Sequence, residues 1–255
     1  MRKDRLFDGT GKDAKLMVEY VCIVGIALVL AYLCGSLPVA LVVGRASAGI
    51  DIRQHGSGNT GTTNAVRTLG WLPGLLVFVC DALKGALACL VMRWALSWAG
   101  IWILGLAPGW ILAEEAPGVL QPSLPLNLLV DLPLALAFIA SVLGHMFSPF
   151  MGFKGGKGVA TTLGALLVVM PPVALCGLGL FLIVLLCSRM VSLSSILGVL
   201  SVPVFALVFY KNSPTFIVFA LLLALAVVAA HKKNIKRIIR GTEPRLTLGA
   251  KKSAQ

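Results

Sequence analysis

Four short polar segments carry residue types that suit phosphorylated molecules. The first runs from Asp51 to Arg67, where Gly56, Gly58 and Gly61 alternate with Ser57, Asn59, Thr63 and Asn64. Glycines allow a tight turn whose N–H groups converge on an anion. Hydroxyl and amide side chains add donors, and Arg67 adds a guanidinium that grips oxyanions in bidentate fashion. The second segment, Phe153-Lys154-Gly155-Gly156-Lys157-Gly158, again sets lysines beside glycines. It departs from a nucleotide-binding P-loop, because the spacing from Gly152 is one residue short and Gly158 replaces the hydroxyl residue that would hold magnesium. Nucleotide hydrolysis is therefore not expected. The third segment holds Arg189, Ser192, Ser194 and Ser195, and the fourth holds His231 and Asn234, three apart and so on one helical face. Serines at a helix start commonly cap it, and an arginine at a span end commonly anchors it. These last two segments gain meaning from the company of the first two.

The elements that must position these residues are membrane helices. The 255 residues are 58% hydrophobic and 13% charged, and the apolar residues fall in long blocks rather than in the alternation of a barrel strand. Seven spans are expected: Met17–Val43, Leu69–Met92, Leu126–Phe147, two short helices meeting at Pro171-Pro172 within 159–187, one ending near Tyr210, and 215–230. The triplet Ala46-Ser47-Ala48 resembles a signal cleavage site, but the preceding apolar run is too long for a signal core, so a retained helix is expected. Residues 1–16 read as an N-terminal extension, 17–240 as one transmembrane domain and 241–255 as a basic tail. Segment 93–125, with Trp94, Trp98 and Trp102 every four residues, reads as an insertion at the bilayer surface.

The formal net charge is +12, and eight of the 22 basic residues follow Ala230. That distribution points to the positive-inside bias and to anionic lipid, not to nucleic acid. It puts the tail and the four polar segments on the cytoplasmic face, and the five basic residues of the N-terminal arm are the one feature that disagrees. The six cysteines lie in apolar stretches without CxxC spacing and read as small buried hydrophobes. No cofactor and no metal are indicated. Asp81 and Lys84 lie inside the second span, where each charge costs about 2.5–3.5 kcal/mol to insert. Their i, i+3 spacing lets them form a structural pair. His55 and His145 are candidates for supporting the reacting groups from behind.

Taken together, the segments resemble the PlsY family, the bacterial acyl-phosphate:glycerol-3-phosphate acyltransferases. The resemblance rests on Gly56-Ser-Gly-Asn-Thr-Gly-Thr-Thr-Asn64, Asp81-Ala-Leu-Lys-Gly85, Gly144-His145, Gly152-Phe-Lys-Gly-Gly-Lys-Gly-Val-Ala-Thr161, Val191-Ser-Leu-Ser-Ser195 and His231-x-x-Asn-Ile235, in family order. It implies an all-α fold of about seven transmembrane helices in the inner membrane with the site facing the cytoplasm. It also implies acyl phosphate as donor and glycerol 3-phosphate as acceptor, without acyl-CoA or acyl carrier protein. Carried over by position, the family's functional residues fall on Ser57, Arg67, Lys157, Ser195, His231 and Asn234. The loop residues, with Arg189 and Ser192, would bind substrate. Arg67 and Lys157 would stabilise charge, Ser57, Ser195 and Asn234 would orient oxygens, and either His231 or a substrate phosphate would take the proton. Departures from the family pattern include Thr62 where Ala is favoured and Ser148 where Pro is favoured. The rival reading is a transporter of phosphorylated solutes, which would place its charges near the midplane between internal repeats. Most polar residues here lie toward one face, and no repeat is evident. The sequence does not indicate an oligomeric state.

Overall fold

The computed structural model describes residues 11–102 and 127–246. Helices are the only regular structure among them, as lipid demands, since each backbone polar group must find its partner within its own segment. The chain forms two compact units that meet in sequence between Val169 and Met170, just before Pro171-Pro172.

The first unit begins with α1 (Gly11–Ser36), which stops at Leu37-Pro38 and resumes as α2 (Val39–Ala48). The unbroken helix expected over Met17–Val43 is thus corrected, because Pro38 lacks an N–H and its ring crowds the preceding turn. A short α3 (Thr62–Leu69) follows, then α4 (Trp71–Trp102). At 32 residues, α4 is longer than the expected second span. It absorbs the start of the predicted insertion and carries Trp94 and Trp98 exposed along its surface. The rest of that insertion, with Trp110 and Glu114-Glu115, lies outside the described residues, as do positions 1–10 and 247–255. A π turn at Asn127–Asp131 leads into α5 (Leu132–Met146), and α6 (Val159–Val169) closes the unit.

Small residues let these helices touch. A Cβ on Gly35 would lie 2.0 Å from the Ser141 carbonyl oxygen, and one on Gly144 would lie 2.2 Å from that of Tyr32, so α1 and α5 pack backbone to backbone. Gly85 and Gly164 play the same part for α4 and α6, against the carbonyls of Thr161 and Ala82.

The second unit holds α7 (Pro171–Ser188), α8 (Val191–Phe209), α9 (Pro214–Ala230) and α10 (Lys232–Ile239). Helix α8 packs against α7 and α9, α10 touches both α8 and α9, and the axis turns by 64° from α9 into α10. The two helices expected to meet at Pro171-Pro172 are α6 and α7. Among the described residues, five helical stretches are long and apolar enough to cross a membrane, or six if α9 and α10 form one bent span. The 11 residues of α6 reach only about 16 Å, roughly half the hydrocarbon core. The short α6 and the 17-residue α9 are the two of the seven expected spans that do not reach spanning length on their own. Of the cysteines, only Cys89 is buried, while Cys22 and Cys187 lie exposed on apolar helices.

Candidate active site

In the first unit, the glycine-rich turn is built around Asn64. This buried residue of α3 reaches back so that its Oδ1 accepts the Ser57 N–H at 2.8 Å, while its Nδ2 donates to the carbonyls of Ile52 and His55 at 3.2 and 3.1 Å. All its hydrogen-bonding groups serve the turn, so Asn64 shapes the loop rather than facing a ligand. Gly56 sits at φ +61° with its would-be Cβ 2.3 Å from Asn64 Oδ1, a place only glycine can occupy. Asp51 caps the short 3₁₀ turn Ile52–Gln54 and grips Arg53 at 2.6 Å. Hydrogen bonds from Arg53 hold its carboxyl at about 2, far below the usual carboxylate range. Arg53 is thereby occupied, whereas Ser57 and Arg67 are exposed. The turn runs into α3, whose N-terminus at Gly61 has no side-chain cap. The first-turn N–H groups of a helix lack intrahelical partners and attract anions.

The second glycine loop joins α5 to α6 and is tied to the end of α1. Tyr32 donates its hydroxyl proton to the Phe147 carbonyl at 2.7 Å, and Ser148 donates to the Ser36 carbonyl at 2.6 Å. Proline at position 148, favoured by the family pattern, could not make that second bond. The N–H groups of Gly155 and Gly156 donate to the carbonyls of Met146 and His145 at 3.0 and 3.2 Å. A Cβ at Gly156 would lie 2.1 Å from His145 Nε2. These two glycines therefore supply closeness to α5, not donors to an anion. Half-buried Lys157 follows, then Gly158 with no side chain to cap α6, so a cation stands beside the start of this helix, whereas Arg67 lies in the last turn of α3. Lys154 is exposed. Among the described residues, the buried hydroxyls of Thr60, Thr62, Thr161 and Thr162 make no hydrogen bond to protein.

Behind this loop lies the pair read from sequence. Lys84 Nζ stands 2.7 Å from Asp81 Oδ1, both residues being at least 95% buried by exposures of 5% and 2%. Lys84 also donates to the Leu37 carbonyl at 2.9 Å, at the break between α1 and α2. His145 Nδ1 stands 3.5 Å from the same Asp81 oxygen.

In the second unit, Ser195 lies in the second turn of α8 and returns its proton to the Val191 carbonyl at 2.8 Å. Ser192, one turn earlier, is buried. His231 occupies the α9–α10 bend, 2% exposed, with Nδ1 2.7 Å from the Val227 carbonyl. A carbonyl can only accept, so a neutral ring carries its proton on Nδ1 and its lone pair on Nε2. Asn234 donates to Glu243 Oε1 at 2.7 Å, and Arg237 meets Oε2 at 2.6 Å. Burial pushes the Glu243 carboxyl up, but the hydrogen bonds from Arg237 and Asn234 outweigh it and hold the group below its ordinary value. Arg189 adopts a left-handed conformation (φ 57°) that ends α7, and its carbonyl accepts the Leu246 N–H at 2.7 Å. The start of the basic tail is thus folded onto this unit. Glu243 was missed by sequence reasoning, although its position as the one acid after Ala230 was a usable signal.

A family model described as glycerol-3-phosphate acyltransferase matches residues 25–241. The chain belongs to the glycerol-3-phosphate acyltransferase family. A glycerol-3-phosphate acyltransferase of Acaryochloris marina is 41% identical over 230 residues, 90% of this chain and 94% of the relative. One of Thermosynechococcus vestitus is 42% identical over 224 residues, 88% and 95% of the two chains. The crystal structure of PlsY (YgiH), an integral membrane glycerol 3-phosphate acyltransferase, in its glycerol 3-phosphate form aligns with a TM-score of 0.69 at 33% identity. The alignment covers 88% of this chain and 96% of that one. Its lysophosphatidic acid form aligns with a TM-score of 0.66. This member of the family is thus a multi-pass membrane acyltransferase, and the transporter reading is left without support.

Proposed function

We propose that the enzyme moves an acyl chain from acyl phosphate to the 1-hydroxyl of glycerol 3-phosphate, producing lysophosphatidic acid for phospholipid synthesis. The observation that carries this reading is the pair of glycine-rich turns in the first unit. Each leads into a helix, α3 after Gly61 and α6 after Gly158, and each has a cation close in sequence, Arg67 in the last turn of α3 and Lys157 just before α6. Two compact glycine-rich turns suit two substrate phosphates, one from each substrate. The acyl chain enters from the bilayer. The hydroxyl oxygen attacks the acyl carbonyl carbon, the carbon–oxygen bond to phosphate breaks, and inorganic phosphate leaves. Phosphate is a good leaving group, so alignment and charge neutralisation supply most of what the reaction needs. His231 Nε2, with its partner nitrogen anchored on Val227, accepts the hydroxyl proton. Ser57, Ser195 and Asn234 orient substrate oxygens. The enzyme resides in the bacterial inner membrane with its site on the cytoplasmic face, a reading supported by the eight basic residues after Ala230.

The test is pure protein given palmitoyl phosphate or palmitoyl-CoA, with glycerol 3-phosphate, with and without magnesium. Lysophosphatidic acid should form from palmitoyl phosphate at the same rate with or without the metal. Product from the thioester alone would overturn the donor assignment.

A further inference from the structure

We infer that the buried cluster Asp81–Lys84–His145 is the seat of the Lys157 loop, and that His145 is a positioning residue whose ring sets the height of Gly156, and through it Lys157, over the end of α5. This rests on reading that loop as a holder of substrate phosphate.

Three observations converge. First, the His145 ring is in direct contact with the loop backbone, since an added Cβ at Gly156 would fall 2.1 Å from Nε2 and 3.0 Å from Cε1. The Gly156 N–H also bonds to the His145 carbonyl at 3.2 Å. Side chain and main chain of one residue thus hold the peptide next to Lys157 from below.

Second, the ring is packed beside a buried ion pair, without a hydrogen bond to it. Its Nδ1 faces Asp81 Oδ1 at 3.5 Å, that oxygen also meets Lys84 at 2.7 Å, and Lys84 ends on the Leu37 carbonyl at 2.9 Å. The cluster therefore links α4, α5 and the break in α1, all within the first unit.

Third, the cost demands a reason. An ion pair in a span is expensive to insert, and a hydrophobic pair of similar volume would stabilise the helix packing at least as well. Precise placement of a loop is something apolar residues cannot supply so well, and a 1 Å misplacement can lower a rate about 100-fold. The sub-van der Waals space at Gly156 is where such precision would be felt.

The test is a double-mutant cycle on purified protein, reading KM, kcat and thermal midpoint. Asn in place of His145 keeps a polar nitrogen facing Asp81 but removes the ring atoms beneath Gly156. His145→Asn should lower kcat/KM about 10- to 100-fold. The loss should fall mainly on the KM of one substrate, with the other KM within about twofold, because the loop serves one phosphate. Gly156→Ala should do the same by clashing with the ring. In the double variant the added methyl enters the space left by the ring, so it should be no worse than His145→Asn alone within about threefold, where independent effects would multiply. Multiplying losses would overturn the inference, and so would a Gly156→Ala enzyme with both KM values unchanged. If His145→Asn does not fold, Gly156→Ala decides alone by that same KM criterion. The cycle read in thermal midpoints needs no substrate. An inactive wild-type enzyme would therefore sink the proposed function while leaving the coupling between His145 and Gly156 measurable.

Discussion

Arg67, in the last turn of α3, and Lys157, just before α6, would each bring a full positive charge to the proposed site, and a neutral side chain could not replace either. Arg67→Ala and Lys157→Ala should each lose at least about 100-fold in kcat/KM, about 3 kcal/mol of transition-state stabilisation. Arg67→Lys should recover only part of this, because an ammonium cannot make the bidentate contact. Steady-state assays of folded variants check this, and near-normal turnover by Lys157→Ala would remove that residue from the site. The same scale shows what sequence can disclose. Residue types and spacing marked Ser57, Arg67, Lys157 and His231 as candidates, since chemistry depends on functional groups that a sequence displays. The roles of Gly155, Gly156 and Asn64 were not legible. A glycine that offers an N–H to an anion looks the same in sequence as one that makes room for a histidine ring, and only the neighbour tells them apart.

Helix α10 owes its orientation to one carboxylate. Glu243 clamps Asn234 and Arg237 together, and Leu246 bonds to Arg189 at the end of α7, so the chain after α10 pins the helix to its own unit. The folded carboxyl lies below its ordinary value. Its contribution is therefore present above the unfolded pKa, about 4.3, and is lost as pH falls through the folded value. Glu243→Gln should lower the thermal midpoint near neutral pH, and the gap from wild type should close as pH drops from about 6 toward 3. A gap that stays constant would mean that the charge of Glu243 contributes nothing. At this scale the helices themselves were largely legible from apolar blocks, and the stop at Pro171-Pro172 from a residue pair that cannot continue a helix. The break at Leu37-Pro38 was as visible in the letters, yet it lay inside a run apolar enough to read as one span. The returning tail was not legible, because a lone acid names no partner at a distance.

For the molecule as a whole, charge decides which way the helices face. Eight of 22 basic residues follow Ala230, and the proposal that the C-terminal end and the site residues face the cytoplasm follows from that bias. Single cysteines at the exposed positions 57, 154, 189 and 232, each near a proposed site residue in sequence, should react in a cysteine-free background with a membrane-impermeant maleimide only after the inner membrane is opened. Labelling of any one from the periplasm in intact cells would reject the cytoplasmic assignment. The number of spans was less legible than their existence, because hydropathy finds apolar stretches but does not say whether each is long enough to emerge on the far side.

Helix α6 has 11 residues and leans on α4 through Gly85 and Gly164. A nascent segment that short offers the insertion machinery too little apolar length to be released into lipid unaided. It must be taken up by what was made before it. The groove on α4 is such a receiver, and it is synthesised some seventy residues ahead of α6. Birth order and assembly order therefore coincide in the first unit. The loop carrying Lys157 rests on α5 at its start and leads into α6 at its end, so a ribosome halted short of α6 would leave a chain already in the membrane with that loop fastened at one side only.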